Sequence, residues 1–137
     1  MNNAKTQITV NEYVTEHFKY EECKCPCCDR IKIVPGFYRH MELLEKMRMK
    51  VDFPIIINSG YRCPDHNVAI GGAPKSWHML FATDIRPAWM PKEDENAWIE
   101  KLHAMHETAL ELNFGGIGRY ETFIHLDLRP EKTRWRG

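Results

Sequence analysis

The stretch that most constrains this chain is Ser59–Asp84, SGYRCPDHNVAIGGAPKSWHMLFATD, which gathers Arg62, Asp65, His66, His78 and Asp84 among Gly71, Gly72 and Pro74. Glycine and proline bend a chain instead of extending it, so the segment reads as a built site. A second stretch, FIHLDL at 123–128, carries His125 and Asp127 two apart. On a strand both would project from one face, with Ile124, Leu126 and Leu128 turned to the core. Catalytic zinc takes three protein ligands and keeps a fourth position for water, and His78, Asp84 and His125 fit that count. A straight strand from 78 to 84 would hold its ends roughly 20 Å apart at ~3.3 Å per residue. The chain must therefore bend between these two residues to share an ion. Spacing alone also allows the ordinary reading, in which His78 and Asp84 only hydrogen-bond at the surface and Arg62 braces a loop through carbonyls.

Length and composition set the frame. One domain of 137 residues is expected, an N-terminal segment at 1–30 followed by a core at 36–135. Apolar residues at 43% and aromatics at 11% suffice for a packed interior. Nineteen basic residues balance nineteen acidic ones, so no excess positive field draws the chain to nucleic acid or an anionic membrane. A monomer is expected. The first residues, MNNAKTQITVNEY, contain no apolar h-region, and no apolar run approaches the ~20 residues of a membrane span. This predicts synthesis in the cytoplasm without a signal peptide.

Along the chain, Phe37, Met41 and Leu44 fall at helical spacing and predict a helix over 36–50, with Glu42, Lys46 and Lys50 on another face. VDFPIIIN suits a buried strand that delivers the chain to Arg62. Residues 64–77 read as an ordered loop. From Pro91, a second helix places Trp98, Leu102, Met105, Ala109 and Leu112 on one face, and Asn113 with Gly115 and Gly116 stops it. His103 and His106 lie three apart on that helix without a third ligand near in sequence, as on a solvated rim. GIGRY and ETFIHLDL read as a hairpin, and RPEKTRWRG as a basic tail anchored by Trp135. Tyr13, Val14, Phe18 and Tyr20 are positioned to pin the N-terminal segment to the core.

Four cysteines crowd into Cys23, Cys25, Cys27 and Cys28, and the fifth is Cys63. This is not the evenly spaced framework of a disulfide-stapled secreted domain. Structural zinc, a disulfide from Cys63 to one of the group, and ordinary turn thiols that behave as small hydrophobes all remain open.

SGYRCPDHN, GGAPKSWH, Asp84 and GGIGRYETFIHLDLR, in that order, resemble the zinc-dependent D-Ala-D-Ala carboxypeptidase and L-alanyl-D-glutamate peptidase family, over about residues 12–135. The resemblance implies the α+β fold shared with the hedgehog signalling domain, a small antiparallel sheet with helices packed on it. It implies one catalytic Zn2+ on His78, Asp84 and His125, and a substrate grip from Arg62, with Ser76 and Tyr120 beside it. The implied activity is hydrolysis of an amide bond in peptidoglycan stem peptides, as in a phage-type endolysin released to the wall or a virion component. Two departures stand out. The family pattern Ser-x-His-x-x-Gly-x-Ala-x-Asp is one residue shorter here, with Leu80 or Phe81 where glycine would ease the bend. The acidic base that several members place three residues before the last histidine is Thr122 here. Asp127 is the first candidate for that base, or else an orienter of His125, and Glu121 is the second. A noncatalytic wall-binding or virion-structural module on the same fold is the alternative.

Overall fold

A computed structural model describes residues 12–89 and 94–137. Pro91 and most of the leading segment MNNAKTQITVNEY lie outside the described residues. The elements in order are α1 (Phe37–Val51), β1 (Ile55–Ser59), α2 (Pro64–Ala69), β2 (Ala82–Pro87), α3 (Glu95–Leu112), β3 (Gly116–Arg119), β4 (Ile124–Asp127) and β5 (Thr133–Arg136). Short 3-10 turns at Tyr20–Cys23 and Trp77–Met79 complete the chain.

Both long helices begin and end where local chemistry dictates. Asp94 caps α3 by accepting the Ala97 amide at 2.9 Å, and Asn113, at φ 62°, closes it in the left-handed region. Asp52 closes α1 in the same way at φ 57°, with Arg48 and Lys50 in the last turn, where cations oppose the helix dipole. The predicted faces turn inward: Phe37, Met41 and Leu44 on α1 and Leu102, Met105 and Ala109 on α3 are at most 1% exposed, while Trp98 and Leu112 are partly buried against the core. The two helices pack on each other, and α3 lies against β2, β3 and β4. At the N-terminal arm, Phe18 is buried and Val14 and Tyr20 pack on the core, whereas Tyr13 is exposed under the Lys19 ammonium.

The sheet runs β1-β2-β4-β3-β5. All neighbours are antiparallel except β3 and β5, which are parallel, so the sheet is mixed where a wholly antiparallel one is expected. The expected tail is in fact that fifth strand. Its pattern TRWR offers one large apolar residue, and only pairing with β3 makes it a strand. β1 is an edge strand, half exposed along part of its length. The expected loop at 64–77 begins instead as helix α2, with Pro64 at its first turn and the Cys63 sulfur accepting the His66 amide.

Strand alternation decides what each face carries. Thr83 and Ile85 of β2 and Ile124 and Leu126 of β4 turn to the helices, and Thr83 meets His40 of α1 at 2.9 Å. Asp84, His125 and Asp127 turn to the opposite face, with Asp84 directly across from His125. On β3, Gly118 is the cross-strand neighbour of both His125 and Trp135, and a Cβ there would lie 2.5 Å from the Trp135 ring. Gly118→Ala is expected to displace Trp135 and cost about 1–3 kcal/mol of stability, as overpacking does, measured by urea denaturation.

Candidate metal centre

Antiparallel register brings two of the three expected ligands together without any loop. Asp84 Oδ1 lies 3.0 Å from His125 Nδ1. The third arrives on the 3-10 turn Trp77–Met79, which Ser76 caps by accepting the His78 amide at 3.2 Å. Leu80, at φ −100° and ψ −86°, then folds the chain back into β2, so the bend needs no glycine. Despite the shortened spacing, His78 Nε2 stands 3.2 Å from Asp84 Oδ2. One ligand atom from each of His78, Asp84 and His125 falls within 4.8 Å of the others.

The surroundings of the two imidazoles differ. His78 is buried, and its Nδ1 donates to the Gly60 carbonyl at 2.7 Å. A carbonyl only accepts, so in the neutral ring the proton sits on Nδ1 and the lone pair on Nε2. That Nε2 has no assigned hydrogen-bond partner, with Asp84 Oδ2 3.2 Å away. A buried nitrogen beside a carboxylate and a second imidazole suits a metal-ligand position, oriented from behind as ligating histidines are. His125 is held between two carboxylates, Asp84 at Nδ1 and Asp127 at Nε2, the latter at 2.8 Å.

Asp127 is sealed. It is 0% exposed, and its oxygens take the Arg129 amide at 3.0 Å and the Arg129 guanidinium at 2.6–3.1 Å besides the His125 ring. The guanidinium in turn lies between the Trp77 and Trp135 rings. A carboxylate so engaged has no face open to a water molecule, which fits the orienting role and not the base. Arg129 goes unnoticed in the sequence, although the alternation of 125, 127 and 129 along one strand face points to it. The other unforeseen contributor is the Gly60 carbonyl, which no side-chain pattern announces.

The remaining expected residues divide. Arg62, Ser76 and Tyr120 line a cleft of about 410 Å³ over the centre, together with Lys75, Phe123 and Arg129. Arg62 is braced by Ser59 Oγ at 3.4 Å and Asn67 Oδ1 at 3.1 Å, and it reaches Asp84 at 3.7 Å. Tyr120 stacks on Phe123 and accepts the Trp135 indole N–H at 2.9 Å. Glu121 is exposed in the β3–β4 turn, between these two aromatics but outside the lining. His103 is exposed and His106 half-buried on α3, and among the described residues neither joins a metal-ligand group.

The Peptidase M15 family model matches residues 16–127. The chain belongs to the Peptidase M15 family. No curated protein matches it. Peptidase M15 proteins are zinc peptidases, and the donor set of this centre suits zinc: two imidazoles and a carboxylate, one imidazole nitrogen orphaned at the meeting point.

Electrostatics follow from the same contacts. Burial works to raise Asp84, but the His125 and His78 rings outweigh it and hold the carboxyl far below the usual range. Asp127 is held down likewise, by His125 and Arg129 against burial. Burial works to lower His125, yet Asp127 and Asp84 prevail and raise it. A histidine raised on folding contributes stability that is full below its unfolded value of about 6.5 and lost as pH climbs through the raised one. The metal-free Peptidase M15 chain is therefore expected to lose stability above about pH 6.5. Urea midpoints followed across pH with a chelator present test this, and the loss should be absent in His125→Gln.

Proposed function

We propose that this Peptidase M15 chain hydrolyses an amide bond in the D-amino-acid-containing stem peptides of peptidoglycan, with one zinc ion on His78, Asp84 and His125. The observation that carries the reading is the orphaned His78 Nε2, fixed by the Gly60 carbonyl and facing Asp84 at the floor of the cleft. Zinc held there by His78, Asp84 and His125 would lower the pKa of a bound water toward ~7 and polarise the scissile carbonyl.

The protein's own groups supply the rest. Stem peptides carry free carboxylates, and Arg62, Lys75 and Arg129 border the cleft as cations. Arg62, braced by Ser59 and Asn67, offers a fixed guanidinium fork to such a carboxylate. The stacked Tyr120 and Phe123 rings form an apolar wall for the peptide, and Ser76 fixes the turn that carries His78. Asp127 is a positioning residue that holds His125 through Nε2. Proton transfer falls to Glu121, the carboxylate on the turn between Tyr120 and Phe123. The enzyme acts as a monomer and reaches the wall as a released endolysin or a virion component.

One observation favours the rival reading of a noncatalytic wall-binding or virion-structural module. Among the described residues lining the cleft, Asp84 is the single carboxylate.

Purified peptidoglycan, with released amines and bound zinc both measured, separates the two. His125→Ala is expected to lose this zinc and all turnover. Glu121→Gln is expected to keep zinc and lose about 10²–10⁴-fold in rate, the usual contribution of a general base. Asp127→Asn is expected to weaken zinc binding about 10–100-fold, as loss of an orienting partner does. A wild type that fills this centre yet releases nothing from any wall preparation replaces the peptidase reading with the binding one.

Arg62→Lys keeps the charge and loses the fork. It is expected to raise KM with little change in kcat, the signature of a grip equal in ground and transition states. A fall in kcat at unchanged KM would move Arg62 to the reacting carbonyl instead.

A further inference from the structure

The five cysteines separate into two kinds. Cys23 is fully buried, with its sulfur 3.9 Å from Met41 Sδ, and serves as a core hydrophobe. The other four converge, although Cys63 lies 36 positions beyond Cys27 in sequence. The Sγ atoms of Cys25, Cys27, Cys28 and Cys63 all lie within 4.8 Å of one another, and Cys27 and Cys63 are 3.3 Å apart.

The backbone is arranged around them. The Cys25 amide bonds the Arg30 carbonyl at 2.7 Å and the Asp29 amide bonds the Cys25 carbonyl at 2.8 Å, closing a tight turn. Asp29, at φ 59°, takes the left-handed conformation that returns Cys27 and Cys28 toward Cys25. Amides point at the sulfurs: that of Cys63 at Cys25 Sγ and that of His66 at Cys63 Sγ, each at 3.4 Å. Amide donors favour the thiolate over the thiol.

We propose that Cys25, Cys27, Cys28 and Cys63 form a second, structural metal site that binds zinc as a tetrathiolate. Zinc–sulfur bonds of about 2.3 Å in a tetrahedron separate the sulfurs by about 3.8 Å, within the spread seen here. A disulfide requires about 2.05 Å and would use two of the four sulfurs, leaving the convergence of the others unexplained. All four positions are filled by protein, which makes the site closed and structural.

Its place in the fold gives it a task. It ties the N-terminal arm to Gly60–Cys63, where the Tyr61 amide already bonds the Cys23 carbonyl at 3.0 Å. Gly60 packs so closely on the Cys23 backbone that a Cβ would lie 2.8 Å from it. The same four residues carry the carbonyl that orients His78 and the Arg62 side chain that lines the cleft. The thiolate site is thus a brace for the other centre, separate from its chemistry.

The test is cobalt substitution of the full chain, purified under reducing, anaerobic conditions, with metal content and visible spectra recorded. A sulfur-to-cobalt charge-transfer band is expected in the wild type and, unchanged, in His125→Ala, together with one metal equivalent more than the His78 centre accounts for. Cys27→Ser with Cys63→Ser is expected to abolish the band and that equivalent while cobalt stays at the His78 centre. The band in His125→Ala supports the thiolate site whatever the wall assay returns, so the two readings fail independently. A wild type with all five thiols free but no sulfur-to-cobalt band overturns the proposal. So does a Cys27–Cys63 disulfide recovered from the reduced preparation.

Discussion

The site depends on one cross-strand pair. Asp84 and His125 are directly opposed on adjacent antiparallel strands, where facing side chains stand about 4.5–5.5 Å apart at Cβ. A slip of one residue by either strand would turn its own ligand to the helices and bring Thr83 or Leu126 to the cleft instead. Ile85, Ile124 and Leu126, all fully buried on the helix side, fix the register against such a slip. Core packing therefore sets the geometry of the candidate ligands, and only His78 must be brought in by irregular backbone. That backbone is itself tied down twice, by the Gly60 carbonyl on Nδ1 and by the Arg62 amide on the His78 carbonyl at 2.8 Å.

Asp84 and Asp127 show how position divides identical side chains. Both project from the same sheet face and both are held ionised, but their neighbours differ. Asp84 faces two imidazoles and touches Arg62 at 3.7 Å, which leaves its oxygens directed at the centre. Asp127 lies one pair further along β4, where Gly116 of β3 is its neighbour. A Cβ at Gly116 would lie 2.5 Å from the Asp127 oxygens, so the glycine makes room for the carboxylate, and Arg129 then neutralises it. Burial of a carboxylate is tolerable only when its charge and lone pairs are met, as they are here.

Much of this was legible in the sequence because it rests on periodicity. The two long helices, the β3–β4 hairpin and the shared face of His125 and Asp127 all follow from spacing. What was not legible depends on distant partners. TRWR carries no strand signal beyond Trp135 and becomes β5 through Gly118, whose missing side chain admits the indole. PDHNVA is too short for a helical period, and its cap is a sulfur instead of the usual oxygen. The contraction between His78 and Asp84 looked like a threat to the centre because glycine was expected at the bend. Leu80 makes the turn with φ negative, so no left-handed residue was required.

The charges around the candidate centre compensate one another. Asp84 and Asp127 are negative, and Arg62, Arg129 and the His125 ring, a donor at both nitrogens when protonated, stand against them. A proton on His125 thus completes a compensated, buried network. With Nε2 held by Asp127, His125 would offer Nδ1, beside Asp84, to a metal ion, and Asp127 would keep the ring in place. His78 is oriented differently, its Nδ1 on the Gly60 carbonyl and its Nε2 beside Asp84. One imidazole is thereby oriented by a carbonyl and the other by a carboxylate.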